Sequence, residues 1–186
     1  GLGRLMRAGR IYQQAPLDHG VTNPCPGHAV MLTGVNPHRH GVVSNDMMDR
    51  DSWQQVYCVQ DDAEDAAGLH NAKRGRSPRR ITATTLGDWL KQASPDSRVY
   101  AMALKDRAAI TLGGQQPDGV YWFDRDLGVM TSSRYYTSQA SDLPLAIQSF
   151  NRDAVGRNSL ALLPDYWEHA PGDFRADDFP SEDPEF

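Results

Sequence analysis

Three short polar segments of the sequence could bind or attack an anion. The first is the proline-rich loop from Thr22 to His28, which leads into an apolar run that we expect to be a helix beginning at His28. The first N–H groups of a helix lack partners within it and, with the helix dipole, favour an anion. A hydroxyl or thiol there could be a nucleophile, so Thr22 and Cys25 are candidates. The alternative is a turn that merely enters a core helix.

The other two segments carry donors and cations. Asn45 follows a short apolar run, and its carboxamide could donate to a phosphate oxygen, although asparagine is also ordinary in turns. Lys105 and Arg107 follow a predicted buried strand, and ligands of α/β sheets bind beyond the carboxyl ends of strands. In extended backbone these two side chains would point to one side and could hold phosphate or sulfate. The alternative is a surface turn in which Asp106 pairs locally.

The order and spacing of these segments resemble a known family. The matching residues, which lie within about residues 1–165, are Pro26-Gly27-His28, Thr33-Gly34, Pro37, His40-Gly41-Val42-Val43, Asn45, Ala103 to Arg107, Tyr121 to Asp124, and Thr131 to Tyr136. The pattern is similar to the alkaline phosphatase superfamily, in the branch of zinc-dependent bacterial alkaline phosphatases and nucleotide pyrophosphatase/phosphodiesterases. The Lys-Asp-Arg segment narrows the resemblance to the bacterial alkaline phosphatases.

The resemblance implies an α/β fold, namely part of an alkaline-phosphatase-like αβα sandwich with the start of an inserted cap region. Residues 1–110 would form the N-terminal part of the core, and residues 111–186 would supply cap-region strands, a helix and a loop-rich tail. By the same resemblance, Asn45 would hold a substrate phosphate oxygen. Lys105 and Arg107 would bind the transferred phosphoryl group and stabilise its transition state.

The chain departs from the family at the nucleophile. The family pattern is Thr-x-Pro-Gly-His, whereas this sequence reads Pro24-Cys25-Pro26-Gly27-His28, so proline stands at the nucleophile position. Three alternatives follow. Thr22 could reach the site through a shift of the loop, or Cys25 could attack as a thiol in the manner of sulfatases. In the third alternative hydrolysis is lost and a phosphate-ester-binding pseudoenzyme remains.

The resemblance also implies two zinc ions in the full-length protein. The sequence does not contain the family's ligand regions, and none of its six histidines has a carboxylate at convincing ligand spacing; they are His19, His28, His38, His40, His70 and His169. His28 and His40 match motif positions that we interpret as structural. We therefore expect no metal ligands in this segment, except the nucleophile itself, and expect the chain to be the N-terminal half of a longer protein.

The function implied for the parent protein is hydrolysis of phosphate monoesters through a metal-assisted phospho-enzyme, with this segment inactive alone. A phosphodiesterase or a sulfatase-like hydrolase on the same scaffold is the alternative enzyme. The expected partner is a small phosphorylated substrate, and the family implies a periplasmic or secreted protein. Oligomeric state is outside what the sequence predicts.

Composition agrees with an ordinary globular domain. The chain has 186 residues, 39% of them hydrophobic and 23% charged, and its net charge is −5. That charge gives no reason to expect a nucleic acid duplex as partner, and no run of residues has the length of a membrane span. Two cysteines, Cys25 and Cys58, allow one disulfide, but we favour two partly buried free thiols.

Several elements must position the polar segments. We predict helices over residues 1–10, 28–33, 82–93 and 145–150, from apolar spacing, a glycine stop and a leading proline. Strands are predicted at 11–12, 98–104, 119–124 and 129–136, the last two as a hairpin. The oppositely charged segment 60–80 is predicted to be a solvated surface excursion, and roughly the last 30 residues to be loop.

Overall fold

The computed structural model describes residues 2–67, 75–137 and 143–155. Its elements in chain order are α1 (Leu2–Ala8), α2 (Pro24–Thr33), α3 (Pro37–His40), β1 (Asp46–Met48), β2 (Gln55–Tyr57), β3 (Ala66–Ala67), α4 (Leu86–Ala93), β4 (Tyr100–Ala103), α5 (Asp106–Gly113), β5 (Gly119–Asp124), β6 (Val129–Ser133) and α6 (Leu145–Val155). Within these ranges no helix combines the length and the apolar character that a bilayer crossing requires.

The main sheet has the strand order β3-β6-β5-β4. Strands β4 and β5 are parallel and are joined by α5, whereas β5 and β6 form an antiparallel hairpin in which Trp122 faces Thr131. The predicted strand at 98–104 and the predicted hairpin are thereby confirmed, whereas α5 was not predicted. The expectation that the strand at 98–104 is buried is wrong, since Tyr100 and Met102 of β4 are exposed. A separate two-stranded ribbon pairs β1 with β2 and places Asp46 opposite Tyr57.

Helices cover both faces of this sheet. Alternate residues of a strand point to opposite faces; Val120 and Trp122 of β5 pack in one core cluster with Ile110 of α5. The intervening Tyr121 belongs to a second cluster, against which Ile147 of α6 packs. The expected αβα layering is confirmed.

Helix α2 begins four residues earlier than predicted. Proline at the start of a helix is compatible because the first four N–H groups need no partner within the helix, and its fixed φ suits the first turn. Pro24 and Pro26 therefore lie inside the first turn instead of in a loop. The predicted end is correct: Gly34 caps the helix with φ 66°, a left-handed conformation that glycine adopts without steric cost.

Other boundaries also differ. No strand forms at 11–12, where both side chains are exposed and no neighbouring strand pairs with them. Helix α4 begins at Leu86 because Thr85 caps it: its hydroxyl accepts from the N–H of Asp88, whose carboxylate accepts from the N–H of Thr85. Strand β6 ends at Ser133, three residues before the predicted end.

The segment 60–80 is not simply a solvated excursion. Ala66 and Ala67 are buried and pair with β6, and Ser77 is also buried. The opposite charges pair across the segment, since Arg79 donates to Asp61 and Glu64 at 2.6 and 2.8 Å. Residues 68–74 and the predicted loop at the carboxyl end lie outside the described residues.

The predicted boundary after residue 110 lies within α5, and β4 and β5 on its two sides pair in one sheet. The sheet is therefore continuous across that position. Assignment of 111–186 to a cap region stays a prediction.

One carboxylate ties the start of β5 to its neighbours. Asp118 accepts hydrogen bonds from Lys91 and Arg98, each at 2.9 Å, and from the N–H of Val99 at 2.8 Å. These donors, the N–H of Val99 foremost, hold the pKa of Asp118 well below its ordinary value of 3.8. A carboxyl group whose pKa is lower in the folded than in the unfolded protein stabilises the fold at pH values above the unfolded pKa. That contribution is lost as the pH falls towards the lowered pKa.

We therefore expect Asp118→Asn to lower the urea midpoint of the complete protein at pH 7. The difference from the unmutated protein should shrink as the pH is lowered from 4, because the carboxylate of the unfolded protein then takes up a proton before the native one does. Asp96→Asn, at an exposed position, is the control. A pH-independent difference between the Asp118 variant and the unmutated protein would contradict the ion-pair explanation.

Candidate functional site

The first turn of α2 has no free N–H group to offer an anion. Pro24 and Pro26 have no N–H, the N–H of Cys25 donates to the Asn45 side chain, and that of Gly27 donates to the Asn23 carbonyl oxygen. Every donor of this turn is absent or already engaged. The predicted use of this helix end as a backbone anion site is therefore wrong.

Asn45 is held on both its main chain and its side chain. Its Oδ1 accepts from the N–H of Cys25 at 2.9 Å, and its carbonyl oxygen accepts from the N–H of Cys58 at 2.8 Å. Because an N–H can donate only to the oxygen of a carboxamide, the first contact fixes which way the amide is turned. The Nδ2 group is thereby left as the donor with which Asn45 can bind another molecule.

Cys25 and Cys58 form a disulfide. Both residues are fully buried, and the bond joins the first turn of α2 to the residue after β2. The preference for two free thiols is corrected: the sequence distance of 33 residues gave no sign that the fold brings them together. In the disulfide, Cys25 has no thiolate with which to attack, so of the two nucleophile candidates only Thr22 keeps a free nucleophilic atom.

Thr22 lies in a groove of about 330 Å³ beside the start of α2. Its side chain is exposed, as is that of Pro24 in the same groove. The other lining residues are mostly apolar or imidazole groups: Leu17, His19, Asn23, Gly27, His28, Val30 and Met31. A substrate in this groove would meet the Thr22 hydroxyl and the Pro24 ring together.

Lys105 and Arg107 do not share one extended segment. Helix α5 begins at Asp106, so Lys105 is its N-cap and Arg107 lies in its first turn. The alternation expected of a strand does not apply, so the premise that both side chains point to one side from extended backbone is wrong. Lys105 is exposed and lines a cleft of about 210 Å³ with Arg76 and Asp106.

Arg107 instead reaches a polar cluster that sequence reasoning missed. The Tyr57 hydroxyl donates to Asp106 Oδ1 at 2.7 Å and accepts from Arg107 Nη1 at 3.2 Å. Asp106 Oδ2 accepts from Arg76 Nε at 2.6 Å, and the Arg76 guanidinium lies 5.1 Å from the centroid of the Tyr57 ring. The sequence pattern placed Arg76 on a solvated surface and Asp106 in a local turn. Neither signal pointed to Tyr57, 50 residues from Arg107.

Burial and charge keep the Tyr57 hydroxyl protonated. Loss of solvent and the neighbouring Asp106 carboxylate raise the pKa of Tyr57 from 10 to about 12. Throughout the neutral range Tyr57 can therefore donate to Asp106 and accept from Arg107 at once. This two-way bond links the carboxylate to the second cation of the Lys-Asp-Arg segment.

The described residues do not fit a zinc centre. Among them no three histidine, cysteine, aspartate or glutamate side chains lie close enough to hold a metal ion. His40 is fully buried, and its Nδ1 accepts from the N–H of Val42 at 3.2 Å. Burial lowers the pKa of the His40 imidazole, as expected for a neutral ring in a structural role.

Comparison with known proteins gives consistent matches. A family model described as type I phosphodiesterase / nucleotide pyrophosphatase matches residues 1–177. Alkaline phosphatase PhoK of Sphingomonas sp is 36% identical over 134 residues, which are 70% of this chain and 24% of PhoK. Alkaline phosphatase PafA of Elizabethkingia meningoseptica is 33% identical over 177 residues, which are 90% of this chain and 32% of PafA. The chain thus spans a third or less of these relatives.

Solved structures of PafA agree in fold. The wild-type crystal structure superposes on this chain with a TM-score of 0.77. The superposed region is 88% of this chain and 32% of the PafA chain. A second PafA structure carries substitutions of a threonine, an asparagine, a lysine and an arginine. That lysine and arginine are two positions apart, as Lys105 and Arg107 are here. The threonine precedes the asparagine by 21 positions, the interval that separates Pro24 from Asn45.

Proposed function

The chain belongs to the type I phosphodiesterase / nucleotide pyrophosphatase family, and on that premise we propose that the complete protein hydrolyses phosphate monoesters. In this proposal Asn45, Lys105 and Arg107 of this chain bind the phosphoryl group. The observation that carries it is the fixed amide of Asn45: its Oδ1 accepts from the N–H of Cys25, and its Nδ2 has no hydrogen-bond partner among the described residues and can donate to a phosphate oxygen. The relatives named alkaline phosphatases support the same reaction class.

Two cations favour a monoester over a diester. A phosphate monoester carries up to two negative charges, and Lys105 and Arg107 supply two positive ones. Catalysis of phosphoryl transfer consists largely of positioning the group and stabilising its charge. An amide donor and two cations can both position the phosphoryl group and stabilise its negative charge.

Thr22 is the nucleophile in this proposal. Its hydroxyl oxygen would attack phosphorus, the alcohol of the substrate would leave, and water would then release phosphate from the phospho-threonine. Support comes from its exposed position in the groove beside Pro24 and from the engagement of Cys25 in a disulfide. Two zinc ions belong to the proposal only by family resemblance, and their ligands would come from outside the described residues.

One observation favours a second candidate function. The position that matches the family nucleophile is Pro24, whose side chain has no atom that can attack phosphorus. A protein that keeps the phosphoryl-binding residues without this nucleophile would bind phosphate esters and release them unchanged. Zinc-dependent turnover of an aryl phosphate by the complete protein separates the two functions.

The disulfide supports an exported location. Disulfides persist in the periplasm and outside cells, whereas the cytosol keeps most thiols reduced. The Cys25–Cys58 bond lies in the core of this chain and agrees with the periplasmic or secreted location proposed from the family.

The phosphoryl-binding proposal has a direct test. We expect Arg107→Ala and Lys105→Ala each to weaken binding of inorganic phosphate to the complete protein by about tenfold or more, because a hydrogen bond to a charged group contributes about 1.5–3 kcal/mol. Titration calorimetry measures the affinity. Arg39→Ala, which removes an exposed cation from α3, is the matched control. Unchanged affinity in both test variants would overturn the proposed phosphate site.

A further inference from the structure

The side chain of Arg107 is held by a neutral group. Its Nη1 donates to the hydroxyl of Tyr57, and within the described residues it forms no ion pair with a carboxylate. Its Nε is buried and has no hydrogen-bond partner there. Among the described residues, no direct ion pair therefore neutralises the guanidinium, which is the state in which it can bind an anion.

The neighbouring carboxylate is satisfied by other groups. Asp106 accepts from Arg76 through Oδ2, and from Tyr57 and the N–H of Arg107 through Oδ1. The Tyr57 hydroxyl stands between this carboxylate and the Arg107 guanidinium. Without that hydroxyl, Asp106 would lose a donor, and the Arg107 guanidinium, which now donates to the same hydroxyl, could replace it. An Arg107–Asp106 ion pair would compete directly with phosphate.

We propose that Tyr57 is a positioning residue that holds the Arg107 guanidinium apart from Asp106 and available to a phosphoryl group. The inference rests on the proposed function, since it assigns Tyr57 a part in phosphate binding through Arg107. Tyr57 itself does not touch the phosphate. Its role is to donate to the carboxylate and accept from the guanidinium.

The backbone around Tyr57 connects it to Asn45, another residue proposed to bind phosphate. Tyr57 pairs with Asp46 in the ribbon, so the next residues along, Cys58 and Asn45, meet through the bond from the Cys58 N–H to the Asn45 carbonyl oxygen. The disulfide then joins Cys58 to Cys25, whose N–H fixes the Asn45 amide. One short stretch of backbone therefore holds Asn45 directly and Arg107 through the Tyr57 hydroxyl.

A double-mutant cycle tests this role. Inorganic phosphate is titrated into the complete protein, Tyr57→Phe, Arg107→Ala and the double variant. Phenylalanine keeps the ring beneath Arg76 and removes only the hydroxyl, so we expect Tyr57→Phe to weaken phosphate binding by about tenfold. In the Arg107→Ala background the same change should alter the affinity less than twofold, because no guanidinium remains to be positioned.

Tyr135→Phe is the matched control. The Tyr135 ring also lies beside an arginine, with Arg79 at 5.3 Å, and its hydroxyl donates to the Gln115 carbonyl oxygen at 3.2 Å. This variant loses a comparable hydroxyl, and we expect its phosphate affinity to be unchanged. Melting temperatures of all variants separate loss of stability from loss of positioning.

The outcomes distinguish this inference from the function on which it rests. If Arg107→Ala binds phosphate as well as the unmutated protein, the inference is overturned, and the proposed phosphate site is overturned with it only if Lys105→Ala also leaves the affinity unchanged. If Arg107→Ala weakens binding and Tyr57→Phe does not, the inference fails and the phosphate site stands. An equal loss from Tyr57→Phe in both backgrounds, accompanied by a lower melting temperature, would show a structural role only and would also overturn the inference.

Discussion

Replacing Pro24 with threonine is expected to raise the rate at which the complete protein hydrolyses an aryl phosphate by at least about hundredfold if the protein lacks a nucleophile, as in the second candidate function, since losing a nucleophile costs a hydrolase several orders of magnitude. If Thr22 is the nucleophile, as in the first, no such gain is expected. The substitution puts a hydroxyl at the position that matches the family nucleophile. Pro24 is exposed at the first position of α2, where its ring packs into no core, so the change should leave the fold intact. The steady-state rate with zinc present measures the effect.

Pro24→Ala is the matched control for this experiment. Both substitutions restore an N–H at the start of α2, but only threonine adds a nucleophilic oxygen, so alanine should give no comparable gain. If Pro24→Thr is no faster than the unmutated protein, and Thr22→Ala abolishes turnover, then Thr22 already serves as nucleophile. If none of these proteins turns over substrate while all bind phosphate, the absence of hydrolysis has a cause other than Pro24.

The coarse fold was predictable because its signals are local. The strand at 98–104 is predicted from a run of apolar residues, the hairpin of 119–136 from two strand segments separated by a turn, and the end of α2 from Gly34. The family motifs added the αβα layering, and the family match with the PafA superposition confirms the resemblance to the alkaline phosphatase superfamily. Helix starts were less predictable, because they depend on caps such as Thr85 and on tolerance of proline in a first turn.

The interior of the candidate site was not predictable from local pattern. Asn45, Lys105 and Arg107 were found by motif, but the partner that holds Arg107 is 50 residues away, and nothing about Tyr57 distinguishes it in sequence. The same is true of Cys25 and Cys58, whose pairing depends on how β2 meets α2 in space. Where a side chain's role is set by a distant partner, only the fold reveals it.

That disulfide is the basis of the second large effect. Replacing both cysteines, as Cys25→Ser with Cys58→Ser, is expected to lower the free energy of unfolding by about 3–4 kcal/mol, the chain-entropy value for closing a loop of this length. The double substitution avoids leaving a lone thiol. Loss of the bond would also free the start of α2 from β2, so we expect phosphate affinity to fall along with stability, because the N–H of Cys25 orients Asn45.

Urea denaturation of the complete protein, with and without a thiol reductant, distinguishes the contribution of this disulfide to stability from that of any other disulfide. In the unmutated protein the reductant should lower the urea midpoint to that of the double variant, because both treatments open the same link. The double variant is its own control, since reductant should not shift it further. If oxidised, reduced and doubly substituted proteins share one midpoint, the bond does not stabilise this fold. A midpoint that falls with no change in phosphate affinity would show instead that the Cys25–Asn45 contact keeps its geometry without the covalent link.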